Sequence, residues 1–132
     1  MLRMLFVVDT WVAAAFGVGL LLTPGLLFDL YGVHTDASGE FLARLVGAFI
    51  LGQAPLLWAM RDQTATPAGL AITRAHGIID TISTVLCAAA CLRGLMNGAG
   101  WIAVALFALF GTGRVYYGFV AATGPATKDF AR

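Results

Sequence analysis

The stretch TRAHGIIDTISTVLCAAAC, residues 73–91, decides the fold. Thr73, His76, Asp80, Ser83, Thr84, Cys87 and Cys91 recur at spacings of three and four, which puts them on one side of an α-helix. Ile78, Ile82, Val85 and Ala89 take the other side. The segment is long and apolar enough for a membrane span, and an ionisable residue inside lipid is costly. Asp80 is therefore expected to face protein or water.

The rest of the chain has the same character. Of 132 residues, 60% are hydrophobic and only 11% charged, with a mean hydropathy of +0.87. Soluble domains rarely have such a composition. Four apolar segments, about 4–22, 41–60, 70–92 and 101–122, each approach the roughly 20 residues that a spanning helix needs. A β-barrel would instead show short alternating segments. The expectation is an all-α integral membrane four-helix bundle forming a single transmembrane domain over 1–132. Arg3 before an apolar run gives residues 1–22 some likeness to a signal peptide, but Asp9 within the run favours a retained first helix.

Charge sets the expected topology. Arg3, Arg61, Arg74, Lys128 and Arg132 fall at the N-terminus, the second loop and the C-terminus, which share one side if there are four spans. The positive-inside rule then puts both termini on the cytoplasmic side. The net charge of +1 and the lack of a basic cluster give no reason to expect nucleic acid as a partner.

Local chemistry divides the chain further. Thr23-Pro24-Gly25 ends the first helix, and residues 26–31 form a short apolar segment that cannot span and is expected at the outer interface. Asp36 or Ser38 can cap the second long helix. Asp9, Ala13 and Gly17 share a face of the first helix, so Trp11 is expected to pack inside if Asp9 is buried beside it. Arg44, Ala48 and Gly52 form a small-residue face on the second, with Ala43 and Gly47 adjoining it and Gln53 on the opposite, bulkier side. Gly111, Arg114, Gly118 and Ala121 share a face of the last helix that suits close packing.

Counting at about 1.5 Å per residue from the expected cytoplasmic ends puts Asp9 and His76 at roughly 8 Å depth, Arg114 at roughly 12 Å and Asp80 at roughly 13 Å. These four residues are the candidate ligand-binding or ion-pair site. Arg114 stays protonated and can pair with Asp80 or Asp9. Histidine exchanges protons readily near neutral pH, which makes His76 a candidate relay. Cys87 and Cys91 stand at i and i+4, a poor geometry for a disulfide within one helix, and form no C-x-x-C motif. No dinucleotide, P-loop, nucleophile-elbow or zinc motif is present, so no catalytic or metal-binding residue is assigned.

The runs LTPGLLFDLYGV (22–33) and FLARLVGA (41–48) resemble small bacterial four-helix membrane proteins grouped as DoxX-like. The resemblance implies a multi-pass protein of the bacterial inner membrane. Some such proteins are linked to quinone-dependent sulfur oxidation, but the shared runs carry no catalytic residue onto this chain. The leading expectation is an accessory or structural subunit packing against itself, lipids or a larger membrane complex. The alternatives are a binding protein or proton-linked carrier for a small amphiphile, such as a lipid or quinone, and an oxidoreductase using Cys87 and Cys91.

Overall fold

In the computed structural model, residues 2–121 are described. They form α1 (Leu2–Leu22), α2 (Pro24–Tyr31), α3 (Ala37–Met60), α4 (Pro67–Leu92) and α5 (Gly100–Val115), and α5 runs on into a π-helical turn, Tyr116–Val120. No strand occurs among the described residues. Leu2–Leu22, Ala37–Met60, Pro67–Leu92 and Gly100–Val120 are each long and apolar enough to cross a membrane. Lys128, Arg132 and the end of the span expected to reach residue 122 lie outside the described residues.

Two helices start a turn earlier than expected because their caps lie upstream of the apolar runs. Asp36 accepts the Gly39 amide at 2.8 Å and opens α3 at Ala37. Thr66 accepts the Gly69 amide at 3.1 Å, and Pro67 takes the first helical position of α4, where its missing N–H costs nothing.

The long helices associate as two close pairs, α1 on α3 and α4 on α5, with far sparser packing between the pairs. In α1, Phe6, Thr10, Ala13 and Gly17 form the buried stripe. In α3 the corresponding line is Ala43, Gly47, Ala54 and Leu57, with Ile50 half-buried on it. Gly17 lets the helices touch: a Cβ there would stand 2.7 Å from the Leu51 backbone nitrogen. The α4–α5 seam is built alike. A Cβ on Gly77 would meet Arg114 Cβ at 3.3 Å, one on Gly111 would meet Asp80 Cβ at 3.2 Å, and one on Gly118 would meet Arg74 Cγ at 3.1 Å. Arg74 also donates from Nε to the Gly118 carbonyl at 2.7 Å, tying the start of α4 to the end of α5.

Of the two small-residue lines on α3 one is buried, and the expectation for Trp11 fails. Arg44 and Ala48 point outward and Gly52 has nothing near it, because α3 turns its Ala43–Gly47 line toward α1 instead. Trp11 is 67% exposed although Asp9 is largely buried. Two residues along a helix turn the side chain by about 200°, so burying Asp9 drives Trp11 out.

At the end of the bundle remote from Asp9, α2 folds against the α4–α5 connection. Its C-cap Gly32 has φ 68°, a left-handed conformation that glycine adopts without strain. Asn97 supplies partners for the carbonyls that end α2: its backbone amide donates to Tyr31 O at 2.8 Å, and its side-chain amide donates to Leu30 O at 2.9 Å. Burial raises the Tyr31 phenol above its ordinary value, and nearby Cys87 adds to the same direction.

Candidate functional site

The α4–α5 seam carries the residue that joins the pairs. Arg114 is completely buried, on the face of α5 shared by Gly111 and Gly118. It donates from Nη1 to Asp80 Oδ2 of α4 at 2.5 Å and from Nη2 to Asp9 Oδ2 of α1. The guanidinium lies 5.8 Å from the Phe6 ring centre and 5.6 Å from that of Phe110, which screen it from the surroundings. Its Nε–H is buried without a partner. Charge-assisted bonds of this kind are the strongest available to side chains, and their strength grows as water is excluded.

Above this triad, between the helix pairs, lies a cavity of about 220 Å³ lined by four residues from each long helix. Asp9, Val12, Ala13 and Phe16 come from α1, and Phe49, Ile50, Gln53 and Leu57 from α3. α4 contributes His76, Ile79, Asp80 and Ser83, and α5 contributes Ala103, Leu106, Phe107 and Phe110. The cavity exists because the pairs meet through charges, whereas glycine draws the helices of each pair together. Its wall is mostly apolar; Asp9 and Asp80 bring the charged cluster to one end with His76 beside them, while Gln53 lies farther along, near the level of Phe16. This is the common build of a small-molecule pocket: apolar walls and a few fixed polar groups.

The structure thus brings Asp9, Asp80 and Arg114 into one cluster and sets His76 beside it on the cavity wall. His76 Nδ1 lies 3.1 Å from the Ile72 carbonyl. A carbonyl only accepts, so this bond requires the hydrogen on Nδ1 and leaves Nε2 toward other partners. Thr73 is fully buried, but its hydroxyl donates back to Gly69 O at 2.7 Å, and Thr84 donates likewise to Asp80 O. Both are spent within α4. Cys87 and Cys91 are free thiols, and Cys91 Sγ packs against the start of α5 at Gly100.

Gln53 lines the cavity together with Phe49 and Leu57, on the bulkier side to which side-chain size assigned it, so it is that side of α3 that faces the cavity. The inward line of α3 mixes Gly47 with Ile50 and Leu57, so bulk does not mark the outward face. Spacing from Ile50 and Leu57, three and four residues away, would have found it. The cavity aromatics Phe16, Phe49, Phe107 and Phe110 were equally hidden, since phenylalanine on a spanning helix faces lipid as readily as protein.

A family model described as a domain of unknown function (DUF8292) matches residues 7–124. The chain belongs to this family. The DUF8292 match extends over the triad, the cavity and all four long helices. No curated protein and no solved structure matches the chain.

Proposed function

We infer that this DUF8292 chain is a multi-pass membrane protein that binds a small amphiphile between its two helix pairs, the head of the ligand toward Asp9, His76 and Asp80 and its apolar part among Phe16, Phe49 and Phe107. One observation carries the reading: an apolar cavity of about 220 Å³ that ends on a buried charged cluster. A dry cavity of roughly 150 Å³ already accepts benzene. A purely structural ion-pair clasp has no need of such a space. A lipid, a quinone or the substrate of a proton-linked carrier fits this description.

Both termini are cytoplasmic in this reading. Support comes from the Arg3–Asp62 ion pair, 2.7 Å, which joins the N-terminal end to the α3–α4 loop, and from the basic residues Arg61 and Arg74 at that same end. The DoxX-like resemblance is the ground for a bacterial inner membrane, and it assigns no role to any cavity residue.

The experiment is native mass spectrometry of protein extracted with its own lipids, beside an Ala103→Leu variant that fills the cavity. A bound small molecule present in near-equal amount with the native protein and lost from the variant is the expected result. Native protein free of any such molecule contradicts it.

A second reading, an accessory subunit that packs against itself or a larger complex, draws on the outward Arg44, Ala48 and Gly52 face of α3. Nothing lies within 4 Å of where a Gly52 side chain would stand. Small residues on a lipid-facing surface suit close approach by another helix. Purification as a lone monomer would count against it.

A further inference from the structure

The polar end of the cavity carries an uneven charge. Arg114 is a permanent monocation. It faces two carboxylates, Asp9 from α1 and Asp80 from α4. Each is bonded through Oδ2, so one oxygen of each carboxylate is not used by the arginine, and both side chains line the cavity. α3 brings no charged residue to the cavity wall, its one polar group being the uncharged Gln53 farther along, and α4 adds His76, whose Nδ1 is taken up by Ile72. With both aspartates ionised, the cluster holds one negative charge more than Arg114 neutralises. An uncompensated charge away from water is costly, so the site calls for a proton or a second cation. Phe16, Phe49 and Phe107 line the rest of the cavity and offer an apolar group attached to such a cation a place to sit.

We propose that the cavity binds a small lipophilic cation, a protonated amine or quaternary ammonium bearing an apolar group, with its charge against the free oxygens of Asp9 and Asp80. The proposal rests on the amphiphile-binding reading and specifies the head of the ligand. A proton on Asp9, Asp80 or His76 removes the same excess charge. Cation and proton therefore compete, binding weakens as pH falls, and a bound cation displaces protons.

The test is calorimetry on the full chain in lipid nanodiscs, with empty nanodiscs as the blank. The probes are benzyltrimethylammonium and the uncharged, similarly shaped dimethylbenzylcarbinol. The ammonium is expected to bind about tenfold more tightly at alkaline pH. That preference shrinks on acidification, and the measured heat varies with the ionisation heat of the buffer as protons are released. Asp9→Asn removes the excess charge while keeping the Asp80–Arg114 pair, and it should bring the two probes to within about twofold of one another. Should that variant not fold, proton release by the wild type still decides the matter. Equal or tighter binding of the carbinol overturns the cation proposal and leaves the amphiphile reading standing. An ammonium preference that survives Asp9→Asn, or cation binding without proton release in the pH range where the preference falls, also overturns it. Binding of neither probe removes both.

Discussion

Where α1 meets α3, a side chain added at Gly17 or Gly47 would strike main chain at 2.7 or 2.8 Å; where that pair meets α4 and α5, the helices stand apart around a cavity of about 220 Å³ and are tied through Arg114. The first contact is dispersion over a long, close seam, which is strong in sum and leaves no room. The second is a few directional bonds, which hold the pairs in register and leave space beside them. A four-helix bundle with glycine at every seam would have no cavity. One tied only by charges would lack the close seams that give each pair its rigidity.

The largest expected effect comes from cutting the tie. Arg114→Met leaves two carboxylates buried without a counter-charge and should destabilise the fold by about 3–5 kcal/mol, measured by unfolding in mixed micelles. Combining it with Asp9→Asn and Asp80→Asn should restore most of that loss, since no uncompensated charge remains. An Arg114→Met protein that unfolds like the wild type would show that the triad does not join the pairs.

The next effect sharpens the other side of the comparison. Gly17→Val forces a Cβ against the Leu51 backbone and should cost about 1–3 kcal/mol, with the helices of the α1–α3 pair driven apart. Cross-linking between cysteines placed on α1 and α3 near Gly17 would report the separation. An unchanged yield would contradict close packing there.

A smaller loss is expected at the far end of the molecule. Asn97→Ala removes the side-chain bond to Leu30 O and should cost about 0.5–1.5 kcal/mol. Its sign would be faster amide exchange in the last turn of α2, with the triad unaffected. Smallest of all, Gly52→Ala should change monomer stability by less than about 0.5 kcal/mol, because that position opens onto nothing in this chain. A marked fall in the mass of the native particle on that substitution would instead favour the subunit reading.

Much of this comparison could be read in the sequence, and the part that could not has a physical cause. Four long apolar segments, the stripe on α4 and the meeting of Asp9, Asp80 and Arg114 in one layer follow from composition and helical period. The α4–α5 seam is legible too, since Gly111, Arg114 and Gly118 stand on one face. The α3 seam is not, because two small-residue lines, Ala43–Gly47 and Ala48–Gly52, run side by side and only the partner helix chooses between them. The cavity is hidden for a related reason: it is a space between two pairs, and no single helix encodes a gap. Gln53 has a signal in its spacing from Ile50 and Leu57, whereas the inward turn of the cavity phenylalanines is fixed only by the neighbouring helices. Asn97 reads as a loop residue, and its bond across 67 positions to Leu30 has no local signal at all.

The central claim is that the space between the pairs is a binding site whose polar end is the Asp9–Arg114–Asp80 cluster. The most direct measurement is the density inside that space in protein imaged within its native membrane. The account predicts an additional elongated feature, its head within hydrogen-bonding distance of Asp9 or Asp80 and its body between Phe16, Phe49 and Phe107. A bundle in which Phe107 and Ile50 have closed on one another, with nothing beside Asp80, would contradict it.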